Sequence, residues 1–342
     1  MTALTKSVNA KRLCDLVDSF KGTSVTVFGD FILDEYIWGA VDRVSPEAPI
    51  VIVDVKSESL RLGGAANVAN NLKTLGAKSS ICSVIGDDEA GKLSLSLLES
   101  QGIDFKGIVT DSNRPTTRKT RVVANSQQIV RVDRELATSI DEDISKLVLE
   151  NVLTSMKSSR ALIISDYGKG VVNSYLSEFL LGNFSKKDAY GKRIPVVVDP
   201  KGTDYSRYVG ATCVKPNKKE ATLLTGKKIS TREDAIEVAE EIRVTGGFEE
   251  VMITLGPEGL VLVHEGAEPF ELDTIAQEVF DVSGAGDTVS AVYSLSIAVG
   301  ATPMEAAIIA NCAAARVIRE VGTATLDPEE LKAVINFWEE NS

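Results

Sequence analysis

DVSGAGDTVSAVYSLSIAVG, residues 281–300, decides how the rest of the chain is read. Three small residues, Gly284, Ala285 and Gly286, precede Asp287, and a helical pattern of Val289, Val292, Tyr293 and Leu295 follows. Val279 and Phe280, just before the stretch, read as the end of an apolar strand. Small residues admit a ligand close to the backbone, and glycine reaches angles that other residues avoid. The first turn of a helix carries N–H groups without partners and a partial positive charge. Together these make an anion site. An aspartate beside such a site should repel the anion. It makes sense if Asp287 takes a proton from a hydroxyl while the N–H groups hold a transferred phosphoryl group. The competing reading is an ordinary acidic helix N-terminus, and GAGD alone leaves both open.

The 342 residues fit one large α/β domain or two small ones. Hydrophobic residues make up 44% and charged residues 25%, as in soluble globular proteins. Lys+Arg 37 against Asp+Glu 49 leaves a net charge of −12, which argues against nucleic acid and anionic membrane as partners. A phosphorylated substrate would need a basic pocket built locally. Cys14, Cys82, Cys213 and Cys312 lie far apart and His264 is the sole histidine, which argues against structural zinc and against a Ser-His-Asp hydrolase. Cys82 and Cys213 sit in strand-like runs and read as reduced core residues of a cytosolic protein. No signal peptide opens the chain, and no apolar run approaches membrane-spanning length.

Residues 9–20 predict a helix, and SVTVFGD (24–30) a strand ending at Gly29-Asp30, with Asp34 just beyond. IVIVDV (50–55) reads as a strand in a region without helical signal, a small β flap. In GGAANVANNLKTLGA (63–77), Gly63 and Gly64 open a helix with Asn67 one turn in. This is either a tight turn that needs glycine or the close approach of a sugar, with Asn67 on its hydroxyls. A strand (79–86), a helix (87–102) and a strand (105–110) then argue for a parallel, doubly wound sheet. KTRVVA and QQIVRVD flank Asn125-Ser126 and read as a hairpin within 116–135. It carries Arg118, Lys119, Arg121 and Arg131, with Lys119, Arg121 and Val123 on one face by alternation. It is either a solvated hairpin or an anion clamp. A helix is expected over 141–157. Three strands follow that end in polar residues: ALIIS before DYGKG with Lys169, IPVVV before Asp199-Pro200-Lys201, and ATCVK before Pro216-Asn217. Ligands of open α/β sheets bind beyond such strand ends, and three together favour a cleft. VMITLGPEGLVLVHEG (251–266) reads as a hairpin covering the cleft edge, with His264 on the surface. Helices over 286–299, 303–320 and 328–340 close the chain. No linker or repeat interrupts it, so one domain over 1–342 with a β flap is expected.

Taken in order, Gly29-Asp30 with Asp34, GGAANVA, Asp199, PNKKE and DVSGAGDT resemble the ribokinase-like (PfkB-type) carbohydrate kinases, from about Val25 to Leu326. GGAAN matches that family's first signature and DVSGAGDTVSA its second. SPEAP (45–49), RLGGAANVANN (61–71), QQIVRVD (127–133), SDYGKG (165–170), DPKGTDY (199–205), PNKKE (216–220) and GTATL (322–326) are similar to its branch that phosphorylates D-glycero-β-D-manno-heptose 7-phosphate. The resemblance implies a three-layer α/β/α core with a mostly parallel central sheet, plus a small β-sheet lid from about 36–62 and 116–135. It implies ATP-dependent phosphorylation of the anomeric C1 hydroxyl to give the 1,7-bisphosphate, in ADP-heptose synthesis for the lipopolysaccharide core. Asp287 would be the base, and the N–H groups of Gly284, Ala285 and Gly286 would hold the developing charge. Asn217, Lys218, Lys219 and Glu220 would serve ATP and Mg²⁺, with Glu220 as metal ligand and Gly256, Gly259 and Asn311 in the same nucleotide site. Asp34, Gly63, Gly64 and Asn67 would bind sugar hydroxyls. Lys119, Arg121, Arg131 and Lys169 are the basic residues expected to grip the distal phosphate. A cytoplasmic homodimer through the lid, burying Ile50 and Ile52, is also implied. Many bacterial relatives continue into an adenylyltransferase domain with an HxGH motif. None occurs before Ser342, so a stand-alone kinase is expected.

Two alternatives accompany this reading. One is a kinase of the same fold for another sugar or sugar phosphate. The other is a non-catalytic nucleotide-binding protein, against which the intact Asp287 speaks. An NAD-dependent dehydrogenase would need GxGxxG after its first strand, which is missing.

Overall fold

Aliphatic runs without a polar position form strands covered on both faces, because such a strand has no side that meets water. The computed structural model describes residues 8–125, 127–185, 193–275 and 280–341. α1 (Ala10–Asp18) leads into β1 (Ser24–Gly29). β2 (Phe31–Val44) and β3 (Val51–Gly64) leave the core as a long hairpin, and α2 (Ala65–Thr74) returns to it. β4 (Lys78–Gly86), α3 (Glu89–Ser100) and β5 (Asp104–Asp111) precede a second hairpin, β6 (Arg118–Ala124) and β7 (Gln127–Arg134). Then come α4 (Glu142–Met156), β8 (Ala161–Ser165), α5 (Ser174–Phe184), β9 (Val196–Asp199), β10 (Cys213–Val214), α6 (Lys218–Thr225) and α7 (Arg232–Gly246). β11 (Glu250–Thr254), β12 (Leu260–His264) and β13 (Phe270–Leu272) lead to α8 (Ala285–Ala298), α9 (Pro303–Val317) and α10 (Pro328–Glu340).

The large sheet has nine strands in the order β13-β12-β11-β10-β9-β8-β1-β4-β5, parallel from β11 to β5 and antiparallel beyond. One buried cluster joins a sheet face to α1, α2, α8, α9 and α10, and another joins the opposite face to α4, α5, α6 and α7. The core is therefore α/β/α. The expected hairpin at 251–266 is the antiparallel edge of this sheet rather than a separate cover. Its end differs from expectation too. His264 is half-buried, its Nδ1 3.3 Å from the carboxylate of buried Glu250, which also accepts a hydrogen bond from Tyr293. Cys82, Cys213 and Cys312 are buried, and all four cysteines are free. Among the described residues no helix is long and apolar enough to cross a membrane.

The second sheet runs β3-β2-β6-β7. Its long hairpin shifts register at Trp38/Gly39 and again between Ala40 and Arg43, which bends it over the strand ends. One face is apolar: Ile37, Val51, Val53, Val55, Val122 and Val130 line a shallow hollow, with Ile50 at its rim. Alternation sends Ile52 to the other face, so the expectation for it was one residue out of phase. The expected strand before Asp281 is also absent where described. Val279 lies outside the described residues, and Phe280 is an exposed bend whose N–H donates to the Ile318 carbonyl at 2.9 Å.

Candidate active site

The strand order reverses at β1, since the chain first steps out to β4 and β5 and then returns across β1 to β8, β9 and β10. The crevice beyond the carboxyl ends at such a reversal is where open sheets bind ligands. Asp30 follows β1 there, Tyr167 follows β8, Asp199 ends β9, Lys215 follows β10, and α8 brings Asp287 in its first turn.

α8 starts without a side-chain cap at Gly284, whose φ is +79°. A Cβ there would stand 2.7 Å from Asn67 Nδ2, so angle and space both require glycine. The Ala285 N–H donates to the Val282 carbonyl at 3.2 Å, which removes it from the expected set of anion donors. The N–H groups of Gly286 and Asp287 belong to the first turn and have no intrahelical acceptor. Asp287 is buried. Its Oδ2 accepts from Asn67 Nδ2 at 2.7 Å and its Oδ1 from the Tyr167 hydroxyl. Burial pushes this carboxyl up to about 7, with Asp199 acting in the same direction, while the bonds from Tyr167 and Asn67 and the charge of Lys215 resist. A carboxylate balanced near neutrality is suited to accept a proton.

Lys215 is buried with its Nζ 3.0 Å from Asp199 Oδ2, and Ser290 Oγ donates to the same oxygen at 3.1 Å. Burial lifts the Asp199 carboxyl against the pull of Lys215. A Cβ on Gly286 would lie 3.5 Å from Lys215 Nζ. A buried ammonium thus flanks the uncapped helix start and reinforces its affinity for anions. Sequence reasoning passed over Lys215 and Tyr167, although both lie in stretches it singled out. A lysine closing a buried strand was the available signal, since lysine is seldom buried unless paired.

On the sugar side the expected roles shift. Asn67 is fully buried on α2, and its amide donates to Asp287. Asp34 is nearly buried and accepts from Arg121 Nη1. A Cβ on Gly63 would lie 2.3 Å from Asp34 Oδ2, so Gly63 makes room for this carboxylate. Gly64 caps α2 with φ +55°, the turn reading.

The four basic candidates separate likewise. Arg121 is taken up by Asp34 and stacks over the Tyr36 ring at 5.3 Å. Arg131 turns along its own strand to Asp133, at 2.8 and 2.9 Å, and is half exposed. Lys169 pairs with Glu135 at 2.6 Å. Lys119 makes no ion pair among the described residues; its ammonium lies 5.9 Å from the Tyr167 ring centroid. Burial lowers its pKa against the pull of Asp34 and Glu135, and the nearby cations Lys169 and Arg131 add to the lowering.

On the other side of Asp287 an apolar pocket runs between Pro257, Leu260, Val289, Ala315 and Ile318, with Gly256, Gly259 and Asn311 in its lining. Asn311 Nδ2 donates to the Asp273 carbonyl at 2.8 Å, and a Cβ on Gly259 would strike the Leu272 carbonyl at 1.9 Å. Asn217 and Glu220 form the capping box of α6. The second oxygen of Glu220 lies 2.8 Å from Lys201 Nζ. Lys218 pairs with Glu258 at 3.1 Å, and Lys219 is exposed. Among the described residues no three acidic, histidine or cysteine side chains form a metal cage. Glu220 is near enough to Asp199 at the cleft to add to the rise of its pKa, and two neighbouring carboxylates suit a cation held mainly by phosphate oxygens.

Comparison with known proteins places the chain in a family and a fold. The model of the pfkB family carbohydrate kinases fits residues 23–330. The chain is 45% identical over 317 residues to the bifunctional protein HldE of Desulfatibacillum aliphaticivorans, covering 93% of this chain and 64% of that protein. It is 42% identical over 311 residues to the protein of that name from Geobacter sulfurreducens, covering 91% and 62%. The chain thus spans 62–64% of the length of these relatives. In fold it is similar to Arabidopsis thaliana ribokinase complexed with ribose and ATP, at a TM-score of 0.72 and 20% identity, covering 92% of this chain and 99% of that one. Escherichia coli phosphofructokinase-2 in complex with substrates and products gives a TM-score of 0.75 and 20% identity, covering 93% and 99%. The ribokinase-like architecture and both signatures are present, and the chain belongs to the pfkB family of carbohydrate kinases.

Proposed function

We propose that this chain transfers the γ-phosphoryl group of ATP to the anomeric C1 hydroxyl of a sugar phosphate, D-glycero-β-D-manno-heptose 7-phosphate, giving the 1,7-bisphosphate. The observation that carries the reaction class is the buried Asp287 carboxylate at an uncapped helix start beside Lys215. Asp287 takes the hydroxyl proton as that oxygen bonds to the γ-phosphorus, and the bond to the β-phosphate oxygen breaks to release ADP. Lys215 and the N–H groups of Gly286 and Asp287 balance the charge on the transferred group. The apolar pocket at Gly256, Gly259 and Asn311 receives the base. Mg²⁺ would enter with the nucleotide phosphates, with Glu220 and Asp199 as the carboxylates that would hold it, and would supply neutralisation of phosphate charge.

The heptose phosphate rests on the stretches quoted above and on the similarity to the HldE proteins. Lys119, which makes no ion pair among the described residues, supports a phosphorylated substrate, with Lys169 beside it. Asp34, held by Arg121, is left to orient sugar hydroxyls. The apolar lid face favours pairing with a second copy, and the reaction belongs in the cytoplasm, where ATP is supplied and thiols stay reduced. The test is a panel of phosphorylated and neutral sugars with ADP release as readout and ³¹P NMR of the product. Heptose 7-phosphate should turn over best and gain an anomeric phosphate. Equal turnover of neutral ribose or fructose overturns the substrate assignment.

A further inference from the structure

We propose that Tyr167 is a positioning residue for proton transfer, its phenol fixing the Asp287 carboxylate and its ring tying that carboxylate to the lid. The inference rests on Asp287 being the base. Its two oxygens are held from two elements, Oδ1 by the Tyr167 hydroxyl and Oδ2 by Asn67 of α2 at 2.7 Å. The carboxylate cannot rotate, yet each oxygen keeps a lone pair for an incoming hydroxyl.

Tyr167 is itself held by backbone. Asp30, fully buried after β1, accepts the N–H groups of Tyr167 at 2.8 Å, Lys169 at 3.0 Å and Val171 at 3.0 Å. Gly168 and Gly170 turn this loop at φ +67° and +86°, and a Cβ on Gly170 would meet the Thr138 carbonyl at 2.0 Å. On the open side the ring faces the Lys119 ammonium of β6. The loop therefore places one phenol between the lid cation and the base.

Asp287 is faced by Asn67 of α2, Tyr167, Asp199 of β9 and Lys215 after β10, and Tyr167 additionally by Asp34 of β2 and Lys119 of β6. Burial and the surrounding carboxylates keep the phenol protonated, so it donates. A donor to a carboxylate favours the charged form. Without it Asp287 holds its proton more tightly, and less enzyme is ready to act near neutrality.

The experiment compares wild type with Tyr167→Phe. One readout is the pH profile of kcat/KM with whichever sugar phosphate the enzyme accepts. The other is the titration of Asp287 in the ligand-free protein, by NMR of ¹³C-labelled aspartate assigned through Asp287→Asn. The acid limb and the titration should both move up by about one pH unit, with about five-fold less activity at pH 7 that recovers at higher pH. Tyr167→3-fluorotyrosine, a stronger donor, should move both down, and it tests the idea even if the phenylalanine variant folds poorly. A pH-independent loss, or an Asp287 titration unmoved in both variants, overturns the proposal. Neither result bears on the sugar panel, so the two readings fail separately.

Discussion

Asn67 and Asp287, 220 positions apart, are joined by a hydrogen bond of 2.7 Å between the amide of one and the carboxylate of the other. The bond couples α2, which follows the lid hairpin, to the first turn of α8. It leaves Asp287 as the buried acceptor in a shell of donors. Asp287→Asn keeps the shape and loses the proton acceptor. The variant should fold and bind nucleotide as before, with kcat lower by roughly 10²–10⁴. Steady-state turnover within a few-fold of wild type would remove Asp287 from the mechanism.

The raised pKa of Asp287, about 7, has opposite consequences for stability and activity. The native state holds a proton that the unfolded chain releases near pH 4. Between those values the unfolded state binds fewer protons, so this group's contribution is present at low pH and lost as pH rises through about 7. Activity instead rises over the same range as the base is freed. Thermal midpoints and kcat/KM measured across that interval should therefore diverge in wild type and run flatter in Asp287→Asn. Parallel rises in wild type would contradict the assignment.

Lys119 and Arg121 sit two residues apart on one strand but should behave differently. Lys119→Met should raise KM for the sugar phosphate roughly ten- to hundred-fold with KM for ATP little changed, the scale of one charge-assisted hydrogen bond. Arg121→Ala frees Asp34, so it should impair phosphorylated and neutral sugars alike. An equal loss for both substrate types in Lys119→Met would move the phosphate contact elsewhere.

Gly63→Ala tests the approach of β3 to Asp34, since the added Cβ would lie 2.3 Å from Oδ2. Overpacking of this kind costs about 1–3 kcal/mol. Chemical unfolding should show that loss together with a higher KM for the sugar, because Asp34 must move. Unchanged stability and unchanged KM would show that the lid hairpin gives way freely.

The apolar lid face leaves Val51 at 45%, Val55 at 52% and Val130 at 48% exposure. A second copy covering it should make the protein dimeric in sedimentation, and Val53→Glu should leave a folded monomer by placing a charge in the seam. A wild-type monomer at high concentration would refute lid pairing.

The sequence by itself determined the layout: unbroken aliphatic runs for central strands, the hairpin at Asn125, and GAGD leading α8 with Asp287. These are local patterns, written by burial period and by the demands of turns and helix starts. Only the tertiary structure decided which polar groups meet. It turned the Asn67 amide to Asp287, gave Arg121 to Asp34, sent Ile52 to the other face of the small sheet, and brought Tyr167 and Lys215 to the neighbourhood of Asp287. Those outcomes depend on strand ends that adjoin only through the reversal at β1, and on low-dielectric burial that forces each charge to find a partner. A linear pattern records neither.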